Sequence, residues 1–547
     1  MEGPGRSNLS HLGDFSVSAR TLKIAAYAVP IGALSAAVAW CLLRLIGLIT
    51  NLVFYQRLGT ALVAPGEGHH SPALILLAPV CGGLAIGTLA RFGSEKIRGH
   101  GIPEAIESIL IGGSRVQPRV ALLKPLASAV AIGTGGPFGA EGPIIMTGGA
   151  CGSIWAQFLH LTADERKTLL VAGAAAGMAA TFNAPLASVL LAVELLLFEW
   201  RPRSFIPVVA AVATATVVRV PMLGSGALFP APPGDLHLDA ASYGLCVASG
   251  IVAGLLALTA TNLVYLSEDA FARLPVHWMW WPAIGGVVVG LGGLVVPQAL
   301  GVGYDVIEAE LNGTIALDLI VGILIVKTLI WSLALGSGTS GGVLAPMLMI
   351  GAALGGLEAT VFPDVGAGFW PLVGLAGVLG GVMRSPLTGV AFALELTHRY
   401  QALLPLLIGA TAAYAVSVLV LRRSVLTEKI ARRGLHLSRE YSVDPLEILF
   451  VGDVMGAPDP GAMAGDDGPV AHADDTLRHV AYAMAERGVT AMPVVERGEG
   501  GSVIGNVTLE QLLQGRLKDL HEERHSERVL SPRQLIGIGG GSDLPAS

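Results

Sequence analysis

The sequence predicts an all-α polytopic membrane protein whose spanning part is written twice, followed by a small α/β module. Three observations predict it. Of 547 residues, 52% are hydrophobic and only 14% are charged, a balance too apolar for an ordinary soluble globule. Between about Leu22 and Leu421 the chain is almost continuous apolar blocks, and within them one pattern of Lys, Gly and Pro recurs. From about Ser438 onward, charges and turn residues become frequent.

The blocks differ in length. Ile24 to Leu48, Pro72 to Ala90, Ala240 to Val264, Trp281 to Val296, Leu319 to Leu335 and Ala402 to Leu421 approach or reach the length of a spanning helix, which needs roughly 20 apolar residues. Ile102 to Ile111, Pro143 to Trp155 and Pro386 to Leu396 are too short. Short Gly/Pro-bounded segments persist at membrane depth only when buried in protein or lining a polar cavity, so roughly fifteen to eighteen helical pieces are expected, many of them incomplete spans. The 72 glycines suit helices that approach closely.

The repeat is explicit. From Lys124 the chain passes Gly133-Thr134-Gly135-Gly136 and Gly139-Ala140-Glu141-Gly142-Pro143 to Gly148. From Lys327 it passes Gly336-Ser337-Gly338 and Gly341-Gly342-Val343-Leu344-Ala345-Pro346 to Gly351. Lys, Pro, Met and the final Gly coincide at one offset. A second pair follows, Pro185 to Leu195 and Pro386 to Leu396. Two half-length repeats, each with a lysine and a Gly-rich break in apolar sequence, point to a transporter with its site at the repeat interface.

The net charge of -7 suggests no nucleic-acid partner. Cys41, Cys81, Cys151 and Cys246 lie singly in apolar segments, without metal-like spacing, and read as packed thiols. Arg6, Arg20 and Lys23 precede the first span, and Arg422, Arg423, Lys429, Arg432 and Arg433 follow the last. By the positive-inside rule both termini are expected in the cytoplasm of a cell whose plasma membrane holds the protein. The expected domains are a tail over 1–20, a membrane domain over 21–437, a cytoplasmic module over 438–530 and a flexible tail over 531–547.

In the module, Ala457 to Gly468 reads as a Pro/Gly/Asp-rich loop and Thr476 to Gly488 as a helix with Leu477, Val480, Ala481 and Met484 on one face. Met492-Pro493-Val494-Val495 and Ser502 to Thr508 read as strands, followed by a helix over Leu509 to Leu513. With Val451-Gly452-Asp453-Val454-Met455 as its opening, this order resembles a single CBS module. The adenosine-contacting pattern of that family ends in Asp where this chain has Gln511. An adenine nucleotide is thus set against the plainer expectation of a regulatory or dimerising scaffold without a cofactor.

Glu141 is the sharpest chemical candidate. A helix starting in Gly139-Ala140-Glu141-Gly142-Pro143 leaves backbone N–H groups unpaired and presents its positive dipole end. Those groups make an anion site, which a carboxylate on the same helix end can itself occupy. The bland alternative is a Glu capping a helix. An ionisable group in such apolar surroundings favours function. The second repeat has the same backbone logic with Leu344 in place of Glu141. Lys124 and Lys327, in apolar helices leading into these turns, would raise the local positive potential or snorkel to an interface. His100, in Arg98-Gly99-His100-Gly101-Ile102-Pro103-Glu104, is a possible anion donor, although a lone loop His is more often solvated or structural. Glu194 and Glu395, at matching repeat positions, read as structural hydrogen-bond acceptors.

Gly99-His100-Gly101-Ile102-Pro103-Glu104, Gly139 to Pro143, Asn183-Ala184-Pro185-Leu186 and Gly342-Val343-Leu344-Ala345-Pro346 resemble, in order, the signature segments of the CLC family of chloride channels and chloride/proton exchangers. The resemblance covers about residues 20 to 440. It implies a homodimer with a pore in each subunit, each built from two inverted halves, and chloride as the bound ion. By motif, Glu141 matches the gating glutamate. The N–H groups of Ala140, Glu141 and Gly142 would form an outer anion site, those of Val343 and Leu344 a central one. Lys124 matches a basic residue behind the pore.

Three departures stand out. His100 replaces the family's anion-coordinating serine. Leu426 falls where its coordinating tyrosine is expected, and Leu195 where exchangers carry their internal proton-relay glutamate. The expected function is transport of chloride or a similar monovalent anion, gated by protonation of Glu141 and channel-like or loosely proton-coupled. Strict chloride/proton antiport is the alternative, and a membrane-embedded nucleotide sensor without flux is the alternative of another class. No enzyme is expected, since no paired acid, metal-ligand cluster or activated nucleophile has recognisable spacing.

Overall fold

The computed structural model describes residues 19–110, 114, 116–232, 234–433, 446, 449–458, 469–497 and 502–524. The expected flexible tail, the boundary at Ser438, Ile111 and most of the Ala457 to Gly468 loop lie outside them. The chain divides into two compact units, one carrying the membrane helices and the other the C-terminal module.

The first repeat runs α1 (Ala19–Tyr55), α2 (Pro72–Phe92), α3 (Ile102–Leu110), α4 (Pro118–Gly133), α5 (Glu141–Gln157), α6 (Ala163–Phe182), α7 (Pro185–Leu191, continued by a π-helical turn Ala192–Leu197) and α8 (Pro202–Leu223). The second runs α9 (Ala240–Ala272), α10 (Trp281–Val295), α11 (Tyr304–Leu311), α12 (Leu317–Gly322, with a π-helical turn Ile323–Lys327), α13 (Thr328–Gly336), α14 (Leu344–Glu358), α15 (Phe369–Met383), α16 (Pro386–Thr397) and α17 (Leu403–Val420). Helix α18 (Val425–Arg432) follows. Ala19 and Arg20, expected in the tail, already form the first turn of α1, where the Arg20 guanidinium pairs with Glu165 of α6.

The two halves are built alike. Helix α1 packs on α8 as α9 packs on α17, and α5 on α6 as α14 on α15; α2 meets α10 and α7 meets α16. Small residues set these distances: a Cβ at Gly173 would collide with the Gly148 carbonyl, and one at Gly374 with that of Gly351. The helix ends match as well. Asn183 (φ 55°) closes α6 in the left-handed region and Arg384 (φ 54°) closes α15, each two residues before the Pro that opens the next helix.

Seven helices among the described residues are long and apolar enough to cross a membrane, and the protein is a multi-pass membrane protein. The short α14 and α15 are instead enclosed, with nearly every residue buried, and α5 and the 20-residue α6 are buried over most of their length. The cysteines depart from expectation. Only Cys246 is buried, while Cys41 and Cys81 are exposed on the outer faces of α1 and α2, where an apolar environment outside the protein replaces packing.

The C-terminal unit has the expected order. Helix Leu477–Arg487 is followed by β1 (Ala491–Val495) and β2 (Val503–Thr508), then helix Leu509–Arg524, longer than read from sequence. The strands are antiparallel, with Met492 opposite Val507 and a bulge at Val494/Val495. Val451, Leu477, Val480, Met484, Met492, Val494, Val507 and Leu512 form its core. Gln511 accepts the Thr508 N–H at 2.8 Å, so its side chain closes the start of its own helix.

Candidate anion site

The site begins with two helix starts that have no cap of their own. The residues before α5 and α14 are Ala140 and Val343, whose side chains carry no acceptor. The first N–H groups of each helix therefore need a partner from elsewhere. Glu141, the first residue of α5, supplies one across the repeat interface: its Oε1 accepts the Ala345 N–H of α14 at 3.0 Å, and the Leu344 N–H also bonds the carboxylate. Gly342 N–H donates to the Gly139 carbonyl at 3.0 Å, tying the two turns together. Equivalent helices that meet start to start run in opposite senses, so the repeats are inverted.

The seat is tight and dry. Glu141 is fully buried, and its second oxygen, Oε2, has no hydrogen-bond partner. A Cβ at Gly139 or Gly342 would fall on the carboxylate, so only glycine admits it there. The carboxylate occupies the position of an anion at the α14 N-terminus, where the dipole and free N–H groups favour negative charge. Ala345, unmarked by sequence reasoning, adds a donor to the carboxylate. The Val343 carbonyl accepts the Met347 N–H as the helix begins.

The third helix start meets the same turn. Gly101 (φ +90°) carries the backbone within contact of Gly142: a Cβ there would lie 2.6 Å from the Gly142 carbonyl oxygen. His100 is buried, and its Nδ1 has no partner. The Gly101 N–H is taken by Glu104 Oε2 at 2.9 Å. Glu104 also pairs with Lys429 at 3.3 Å and Arg433 at 3.2 Å, which come from α18 and the residue after it. Lys124, Lys429 and Arg433 thus surround His100 with positive charge.

Lys124 and Lys327 are both fully buried, which excludes snorkelling. They make the same bonds. Lys124 Nζ donates to the carbonyls of Ile97 at 2.8 Å and Gly99 at 2.6 Å. Lys327 Nζ donates to those of Ala299 at 2.9 Å and Gly301 at 2.8 Å. Each fixes the Gly-X-Gly loop that opens the short helix of its own repeat, α3 or α11. The Gly301-Val302-Gly303 partner of Gly99-His100-Gly101 was legible in the sequence but has Val302 in place of His100.

These are the arrangements of a known architecture. The family profile described as "Voltage gated chloride channel" matches residues 81–418. The chain belongs to the voltage-gated chloride channel family. A "CBS domain" profile matches residues 451–518. A putative chloride channel protein ClcB-like of Ralstonia nicotianae is 28% identical over 374 residues, covering 65% of this chain and 85% of that protein. The H(+)/Cl(-) exchange transporter ClcA of Salmonella paratyphi B is 33% identical over 296 residues, 50% of this chain and 60% of its own length. The crystal structure of a slow cyanobacterial Cl-/H+ antiporter superposes with a TM-score of 0.66 at 22% identity, over 76% of this chain and 99% of that one.

The three positions expected to depart from the family pattern, His100, Leu195 and Leu426, are all buried. Leu195 lies in the π-helical turn after α7 and is fully enclosed, with no group that holds a proton. Leu426 is fully buried at the start of α18, where Tyr265 of α9 donates its hydroxyl to the adjacent Val425 carbonyl. His100, expected in place of a serine, is buried beside the Glu141 turn.

Proposed function

We propose that this chain carries chloride or a similar monovalent anion across the membrane along the path that Glu141 closes, and that transport is channel-like or loosely coupled to protons. The observation that carries it is the Glu141 carboxylate seated on the α14 N–H groups as a tethered anion. Protonation removes its charge, and with it the attraction that holds it against a free anion. The vacated seat, built from Leu344 and Ala345 N–H groups with Ala140, Glu141 and Gly142 beside it, takes the ion. His100 donates a hydrogen bond toward it, and the Lys124 and Lys327 ammoniums raise the local potential. Uncoupled or loose transport follows from Leu195, which cannot relay a proton.

The names of ClcA and of the cyanobacterial antiporter favour a second reading, strict exchange of chloride for protons. Chloride efflux from liposomes separates them. Flux that rises with acidity in the unaltered protein and loses that response in Glu141→Gln supports the gate, and an unchanged response rules it out. Uphill proton movement at a fixed ratio to chloride supports strict exchange.

Further parts of the reading are a homodimer seated in the inner membrane with both termini in the cytoplasm. Leu186 and Leu387, repeat equivalents left exposed on α7 and α16, suit a partner subunit. The module acts as a regulatory scaffold, since the Gln511 side chain is engaged in its own helix start.

A further inference from the structure

Away from the anion path, the first turns of α1 form a groove with the connection between α5 and α6. Its volume is about 220 Å³, and Arg20, Lys23, Tyr27, Phe158, His160 and Leu161 line it, with no acidic side chain among the lining residues. Arg20 is already committed: its guanidinium pairs with Glu165 and reaches the His160 carbonyl at 3.4 Å. Lys23 is not. Among the described residues no carboxylate pairs with it, and its ammonium stands 6.0 Å from the centre of the Tyr27 ring.

The apolar side of the groove is exposed. Phe158, the residue that closes α5, is 82% exposed, Trp155 one turn earlier 42%, and Leu22 beside Lys23 in the chain 69%. The depth of the groove follows from α1. Ile24 to Leu43 carries no charge, with Lys23 and Arg44 at its two ends, and that is about the length that crosses a bilayer. Lys23 thus stands at the level of the lipid headgroups, where aromatic rings settle and a lysine lays its stem along hydrocarbon with the ammonium in the polar layer. Tyr27, four residues on, shares its helix face and lies one turn deeper.

We propose that this groove binds an anionic glycerophospholipid, with the phosphate on Lys23 beside Arg20 and an acyl chain laid along Tyr27 and Phe158. The charge of the lining selects an anion, since its cations outnumber its acids and one of them is unpaired. The exposed rings select a ligand with a long apolar part, which a soluble phosphate lacks. The depth selects a molecule that is already in the membrane. The site stands apart from the anion path, because α5 runs from Glu141 at one end to this groove at the other.

The test is binding to the full chain in a neutral detergent, followed by native mass spectrometry with phosphatidylglycerol, phosphatidylcholine and glycerol phosphate. The unaltered protein is expected to hold phosphatidylglycerol more tightly than phosphatidylcholine and to leave glycerol phosphate unbound. Lys23→Gln is expected to weaken phosphatidylglycerol about fivefold, the effect of one cation at an anionic lipid surface, and to leave phosphatidylcholine unchanged. Phe158→Ala is expected to weaken both lipids. A melting temperature equal to that of the unaltered protein in lipid-free detergent shows that each variant is folded. Equal phosphatidylglycerol affinity in the unaltered protein and Lys23→Gln overturns the assignment. So does glycerol phosphate bound as tightly as the lipid, which makes the groove a site for free phosphate. Lipid binding that appears only once residues 1–18 are removed overturns it as well, and gives the groove to the chain's own leading segment.

Discussion

Glu395 of the second repeat accepts the backbone N–H of Ala187 at 2.8 Å, and that of Leu186 at 2.9 Å, at the start of α7. The first repeat returns the contact: Glu194 accepts the Thr388 N–H at 2.9 Å and its hydroxyl at 2.5 Å, at the start of α16. Each half thus caps a helix of the other, and neither helix has a cap from its own preceding residue. Glu395→Ala strands two N–H groups, and each orphan costs about 1–3 kcal/mol. A lower melting temperature in detergent, with Glu395→Gln intermediate, is the expected outcome.

The sign of the pH response follows from the seat. On the proposed gate, Glu141 blocks as a carboxylate and releases as an acid, so chloride flux is expected to rise as pH falls. Glu141→Gln, neutral at every pH, stays at the released level throughout. Efflux measured from neutral to acidic pH checks both halves.

Gly139→Ala puts a methyl group where the Glu141 carboxylate sits. The carboxylate is expelled without taking up a proton. Flux at neutral pH is expected to rise toward that of Glu141→Gln, which the same efflux measurement reads.

Lys124→Met and Lys327→Met each leave two loop carbonyls unpaired, at about 1–3 kcal/mol apiece. Both variants should melt earlier and bind chloride more weakly in calorimetric titration. Arginine should not rescue Lys124, because its wide planar fork replaces a compact ammonium held at 2.6 and 2.8 Å.

Lys429→Ala removes a cation paired with Glu104 beside His100. Chloride flux should fall most at low ionic strength and recover relative to the unaltered protein when an impermeant salt screens both.

The repeat, the short enclosed helices and the Glu141 turn were legible because each rests on local pattern: glycines, a proline and one acid in apolar sequence. The shared duty of Lys124 and Lys327 was visible as a coincidence of position, but not the carbonyls they hold, because nothing local ties a lysine to the Gly-X-Gly loop more than twenty residues before it. Lys429 and Arg433 read as orientation signals, since nothing in the sequence links them to Glu104 more than three hundred residues earlier. Cys41 and Cys81 were misjudged because an apolar stretch in a membrane helix does not distinguish lipid from protein.

The paired lysine clamps have one more consequence. With both Gly-X-Gly loops pinned to the helices behind them, the proposed gate would open by a single side chain swinging about its own bonds. Throughput should therefore carry a shallow temperature coefficient, like rotamer exchange, and not the steep one of a protein that rocks whole domains to let its cargo pass.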